Sequence, residues 1–79
     1  MDTISYKGYQ IHATPYQLAD SGRWNIRIHV AVERGAETIW RPFSTGNTFE
    51  TRQEAIEHCF NFGKQIIDGQ VPECTVSDL

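Results

Sequence analysis

Trp24-Asn25-Ile26-Arg27-Ile28-His29-Val30-Ala31-Val32-Glu33 is the stretch whose reading decides the fold. Every even position holds a large apolar side chain, and the odd positions hold polar or small ones. A period of two means a β-strand with one buried face and one open face. Upstream, Tyr9, Ile11 and Ala13 alternate with Gln10, His12 and Thr14, which predicts a first strand over residues 8–16. Asp20-Ser21-Gly22 supplies turn chemistry between the two, with glycine free to take positive φ. Downstream, Arg34-Gly35-Ala36-Glu37 reads as a tight hairpin leading into a third strand over 37–43. Proline cannot donate to a ladder, so Pro15 and Pro42 mark the first and third strands as edges and leave 24–33 in the centre. The expected sheet is a three-stranded antiparallel meander of order 1-2-3.

Ser44-Thr45-Gly46-Asn47 breaks the alternation, and Thr51-Arg52-Gln53-Glu54 is a capping box that opens a helix at Arg52. At 100° per residue Ala55, Ile56, Cys59, Phe60, Phe62, Gly63, Ile66 and Ile67 share one arc, opposite Glu54, Glu57, His58, Asn61, Lys64, Gln65 and Asp68. Gly69 suits a left-handed cap and Pro72 prevents continuation, so the helix spans 52–68. Residues 70–79 have no period and are expected as a disordered tail or a short added strand. The fold class is therefore α+β, with one C-terminal amphipathic helix packed on one sheet face. Residues 1–79 read as a single domain, and the helix leaves the other sheet face open.

The 79 residues are 39% hydrophobic and 22% charged, ordinary values for a folded domain. No apolar run is long enough to cross a bilayer, and Met1-Asp2-Thr3-Ile4 lacks the basic start and apolar stretch of a signal peptide. Cys59 and Cys74 show no metal or redox spacing and read as two reduced thiols, so the expected compartment is the cytoplasm, with no membrane partner. The net charge of −3 weighs against a nucleic-acid binder. Its distribution is uneven. Residues 1–45 carry five basic side chains against four acidic ones, whereas residues 46–79 carry Arg52 and Lys64 against six acidic residues.

Alternation turns Gln10, His12, Thr14 and Tyr16, then Asn25, Arg27, His29 and Ala31, toward the open face. A two-residue Gly35-Ala36 turn sets Val32 opposite Ile39 and Ile28 opposite Phe43, brings Trp40 to the open face beside Ala31 and His29, and turns Arg41 inward. A one-residue bulge would send Trp40 into the core instead. His12, Tyr16, Arg27, His29 and Trp40 form the candidate interaction face. His12 and His29 can sit opposite each other, but no third ligand of suitable type follows, so neither metal nor cofactor is expected. Ser21, Ser44 and Ser77 lack a nucleophile-elbow context, Cys59 lies on the apolar helix face, and no glycine-rich phosphate loop joins a strand to a helix. The chain reads as non-enzymatic.

Lys7-Gly8-Tyr9-Gln10-Ile11, Gly22-Arg23-Trp24-Asn25-Ile26, Thr48-Phe49-Glu50-Thr51-Arg52-Gln53-Glu54-Ala55 and Ile66-Ile67-Asp68 together resemble the layout of small bacterial HlyU-like proteins. That resemblance implies a β-β-β-α domain with a regulatory role. Gly46-Asn47-Thr48 followed by Gln53-Glu54-Ala55 is similar to the Gly-Asp-Thr and Glu-Glu-Ala stretch of HicB-type antitoxins, whose Pro-x-Leu-Pro-Gly segment has no counterpart here. These readings converge on a bacterial interaction or regulatory module that meets a protein partner or a second copy of itself. Two alternatives stand beside it. One is an antitoxin-like protein; the other is a single-stranded nucleic-acid binder that stacks bases on Tyr16 and Trp40 and holds phosphates with Arg23, Arg27 and Arg41.

Overall fold

The computed structural model describes residues 2–72 and 74–76. Five antiparallel strands precede one helix: β1 Thr3–Tyr6, β2 Tyr9–Ala13, β3 Tyr16–Gln17, β4 Trp24–Arg34, β5 Glu37–Phe49 and α1 Arg52–Ile67. β4 is central, with β5 on one side and β2 and β3 in line on the other. Tyr16↔Asn25 continues the register of Ala13↔Ile28, so β2 and β3 are one expected strand interrupted where Pro15 withholds an N–H. Thr14 still donates its N–H to the Arg27 carbonyl across the gap at 2.8 Å.

The expectation of three strands is corrected to five, and the difference has two further sources besides the break at Pro15. β1 forms a hairpin with β2 through a two-residue Lys7-Gly8 loop, both at positive φ (49° and 86°). That geometry matches the twist of the flanking strands, but lysine lacks the Asn or Asp signature of such turns. β5 also runs six residues beyond 43. Ser44-Thr45-Gly46-Asn47 does not end the strand; it forms an irregularity in which Thr45, Gly46 and Asn47 oppose Ile26 alone, between the pairs Arg27↔Ser44 and Asn25↔Thr48. The Gly35-Ala36 turn is as expected, with Val32↔Ile39, Ile28↔Phe43 and Ala31↔Trp40.

Thr51 caps α1 by accepting the Glu54 N–H at 3.2 Å, while its hydroxyl donates to Glu54 Oε1. Gly69, at φ 76°, ends the helix, with Gly69 N–H bonded to the Ile66 carbonyl and Gln70 N–H to the Gln65 carbonyl. Ala55, Ile56, Cys59, Gly63 and Ile66 are buried against Ile11, Ile26, Ile28 and Val30. The helix lies mainly on β2 and β4. Beyond it, Val71 and Cys74 pack on the core and Val76 is buried in it; residues 73 and 77–79 of the expected tail lie outside the described residues. The inward Arg41 is half-buried and donates to the Thr75 carbonyl at 3.2 Å.

Gly63 sets how closely α1 approaches the sheet. A Cβ there would stand 2.7 Å from Ile11 Cγ2 and 2.8 Å from its Cδ1. Gly63→Ala gains roughly 1 kcal/mol of helix propensity and meets an overpacking cost of about 1–3 kcal/mol. The expected net is a loss of about 1 kcal/mol in urea unfolding. Ile11→Val should cost less in the Gly63→Ala background than alone, and additive effects would show that the two side chains do not collide.

A second clasp joins the β1–β2 turn to the end of α1. Asp68 accepts from Lys7 Nζ at 2.5 Å and from the Tyr6 hydroxyl at 2.8 Å. These bonds hold its carboxyl below the usual carboxylate range and push the Lys7 and Tyr6 pKa values up. The carboxylate's contribution is therefore present above about pH 4 and lost as pH falls through its lowered pKa. The Lys7 and Tyr6 contributions are present below about pH 10 and lost as pH rises through theirs. Asp68→Asn should flatten both limbs of a stability-versus-pH curve by a small amount, since the pair is exposed; an unchanged acid limb would show that the clasp is not formed in solution.

Candidate functional site: the open sheet face

All five candidate side chains stand on the face away from α1, because each occupies the phase of its strand opposite to Ile11, Ile28 or Val30. Trp40 and Tyr16, 51% and 41% accessible, are the large hydrophobics exposed among the described residues. Trp40 is partnered across the ladder by Ala31, whose methyl is 1% accessible. With so small a neighbour the indole reaches across β4 to His12, ring centroids 4.6 Å apart and tilted by 53°.

His12 and His29 are direct cross-strand partners. His12 is held at both nitrogens, Nε2 by Gln10 Oε1 at 3.2 Å and Nδ1 by the Thr3 hydroxyl at 3.0 Å. Since Gln10 Oε1 only accepts, the neutral ring carries its proton on Nε2, and Nδ1 takes the proton of Thr3. The Thr14 hydroxyl donates to the Arg27 carbonyl at 3.2 Å, so it receives Nδ1–H from His29 at 3.3 Å. The His12 ring is thereby engaged at both nitrogens and the His29 ring at Nδ1. Among the described residues no group of three His, Cys, Asp or Glu side chains is placed to hold a metal ion.

Toward the other end of the face, Tyr16, Arg27, Pro42, Phe43 and Ser44 line an open hollow of about 390 Å³. Asn25 Nδ2 donates to the Tyr16 hydroxyl at 2.7 Å, while Asn25 Oδ1 is buried without a partner among the described residues. Arg27 is exposed, and its guanidinium has no ion pair or hydrogen bond to any described residue. Arg23 is committed elsewhere, bonded through Nε to the Thr48 hydroxyl at 2.8 Å and through a terminal nitrogen to the Thr48 carbonyl at 3.1 Å.

The structure thus brings His12, His29 and Trp40 together at the centre of the face and sets Tyr16 with Arg27 in the hollow. Sequence reading missed Thr3 and Ser44 and, although it turned Asn25 to the open face, did not give its bond to Tyr16. Thr3 went unseen because β1 was not recognised. Ser44 follows from extending the register of the Gly35-Ala36 hairpin to Arg27, and Asn25 from pairing Tyr16 across the first hairpin. His58, on the polar arc of the helix, is exposed and stacks on Phe49 with centroids 4.1 Å apart.

Comparison with protein-family models, curated proteins and solved structures gives no match for this chain. No helix among the described residues is long and apolar enough to cross a membrane.

Burial pushes the Cys59 thiol pKa up, against a weaker lowering by its hydrogen bond to the Arg27 carbonyl. Cys59 is fully buried, and Cys74, expected on an exposed tail, is half-buried against the core. Under native conditions iodoacetamide should modify Cys74 slowly and Cys59 only through global unfolding. Fast, equal labelling of both thiols would contradict this packing.

Proposed function

We propose that this chain is a non-enzymatic interaction or regulatory module of the bacterial cytoplasm, and that the open sheet face is its working surface for a protein partner or a second copy. One observation carries the reading: the exposed Trp40 and Tyr16 share a face with an Arg27 that no described residue engages, and no described element of the chain covers that face. Aromatic and arginine side chains are the types that most often anchor protein interfaces. Two unpaired cysteines agree with a reducing compartment. The regulatory role implied by the HlyU-like resemblance requires such a surface, and so does antitoxin-like binding.

Single-stranded nucleic-acid binding is the weaker reading. Of the three arginines it would use, Arg23 is bonded to Thr48, and Arg41 is turned to the helix side and bonded to Thr75. Arg27 alone is left on the face, too little positive charge to track a backbone.

The double change Arg27→Glu, Trp40→Ala tests the surface. Peptides selected from a random display library on the wild-type chain should lose about thirty-fold in affinity for the folded double variant, equivalent to roughly 2 kcal/mol. Sedimentation at two concentrations should show the same loss for any self-association. The thermal transition should move little, because both side chains are exposed. Undiminished binding by a folded double variant would sink the reading. Oligonucleotide binding that weakens steeply with added salt would transfer the face to nucleic acid instead.

A further inference from the structure

The hollow around Arg27 has a chemistry of its own. Its polar lining is rich in donors. Arg27 offers a guanidinium that no described residue engages, Ser44 offers a hydroxyl, and Tyr16 accepts from Asn25, which leaves its own phenolic proton to give. Asn25 donates to Tyr16 and so orients the phenol, while its own Oδ1 is buried without a partner among the described residues. Across the open-face positions of the strands the one carboxylate is Glu33, six residues along β4 from Arg27 and therefore roughly 20 Å away. Among the described residues nothing of opposite charge on this face neutralises the guanidinium.

We propose that the hollow is a carboxylate-binding subsite, and that the partner of the open face is an acidic peptide segment. One of its Asp or Glu side chains meets Arg27, Tyr16 and Ser44, and an apolar side chain seats against Trp40. The proposal rests on the open-face reading above. Arg27 and Ala31, the cross-strand partner of Trp40, lie four residues apart on β4, a separation of roughly 13 Å. An extended segment spans that distance between positions i and i+4, whose side chains fall on the same side. A planar guanidinium matches a carboxylate with two parallel hydrogen bonds, a geometry that aromatic stacking alone cannot supply.

Charge selects a protein carboxylate over a nucleic-acid backbone. One free arginine serves one carboxylate, whereas a polyphosphate needs several cations in a row. The chain bears −3 in total, with Glu50, Glu54, Glu57 and Asp68 around the helix. A long polyanion is repelled by that charge; a short acidic segment bound on the opposite face meets it only at a distance.

Amide chemical-shift titration of the full chain tests this with three probes. The first is a capped five-residue peptide with glutamate first, leucine fifth and threonines between. The second replaces that glutamate by glutamine, and the third is an eight-nucleotide oligothymidylate. The glutamate peptide should shift Tyr16, Asn25, Arg27 and Ser44 and bind at least ten-fold tighter than the glutamine peptide. Arg27→Gln should abolish that difference, Arg34→Gln should leave it intact, and Trp40→Ala should weaken both peptides alike. Equal binding of the two peptides, a glutamate preference that survives Arg27→Gln, or no shifts in the hollow at millimolar peptide would each overturn the subsite. Tighter binding of oligothymidylate than of either peptide would overturn it in favour of phosphate. Display-selected binders that still depend on Trp40 would, in the first three cases, leave the open-face reading standing without its carboxylate contact.

Discussion

One helix of sixteen residues must stabilise a sheet built on strands of eleven and thirteen residues, and every other feature of the molecule answers to that constraint. A single apolar stripe makes a single layer of core, so α1 has to lie close. Gly63 permits this by putting no side chain between the helix axis and Ile11. The close approach centres the helix on β2 and β4 and leaves the inner side of β5 partly bare. There Val71, Cys74 and Val76 fill the remaining space, and Arg41 finds the Thr75 carbonyl at the margin of the apolar layer. A chain this short buries a smaller share of its surface than a large domain does, and the described C-terminal residues are part of what closes the core.

The far face has no second helix, so its own side chains must shield the ladder. Trp40 leans over Ala31 toward His12, and His12 is fixed from both sides by Thr3 and Gln10. This lattice pairs the His12 ring while Trp40 covers Ala31. It also fixes side chains in advance, lowering the entropy lost when a partner arrives.

The central hairpin was legible because its signals agree at every level: five alternating apolar positions in β4, a two-residue glycine-containing turn, and a register that buries Ile39 and Phe43 together. From that register the open-face position of Trp40 and the inward turn of Arg41 both follow, and the helix was equally legible from Thr51, Gly69 and the apolar arc between them. What was missed lies where local chemistry and tertiary context disagree. Lys7 is a poor residue for positive φ, yet the Lys7–Asp68 and Tyr6–Asp68 bonds reward the turn from the far end of the chain, a contact no local window contains. Ser44-Thr45-Gly46-Asn47 has the composition of a loop, and only the pairing of Thr48 and Phe49 with Asn25 and Trp24 makes it a bulge within a strand. The five face residues could be placed by alternation, but the hollow could not, since it depends on Ser44 lying beyond the point where the pattern stops.

The same register bears on whether a second copy suits this face. Two copies meeting face to face would set one donor-rich surface against another, Arg27 and Tyr16 of each finding, among the described open-face strand positions, only Glu33 as a carboxylate. A head-to-tail arrangement could offer Glu54 or Glu57 of the helix to Arg27, but such heterologous contacts build rings or open chains of molecules, not a two-fold dimer. Under the proposed reading, a distinct partner that brings its own carboxylate would satisfy the guanidinium that no described residue engages, without either constraint. Electrostatic complementarity of this kind acts chiefly on specificity and on the rate of encounter. Under the proposed reading, on a small face with two exposed aromatic side chains, the one arginine that no described residue engages is the feature that would distinguish one partner from another.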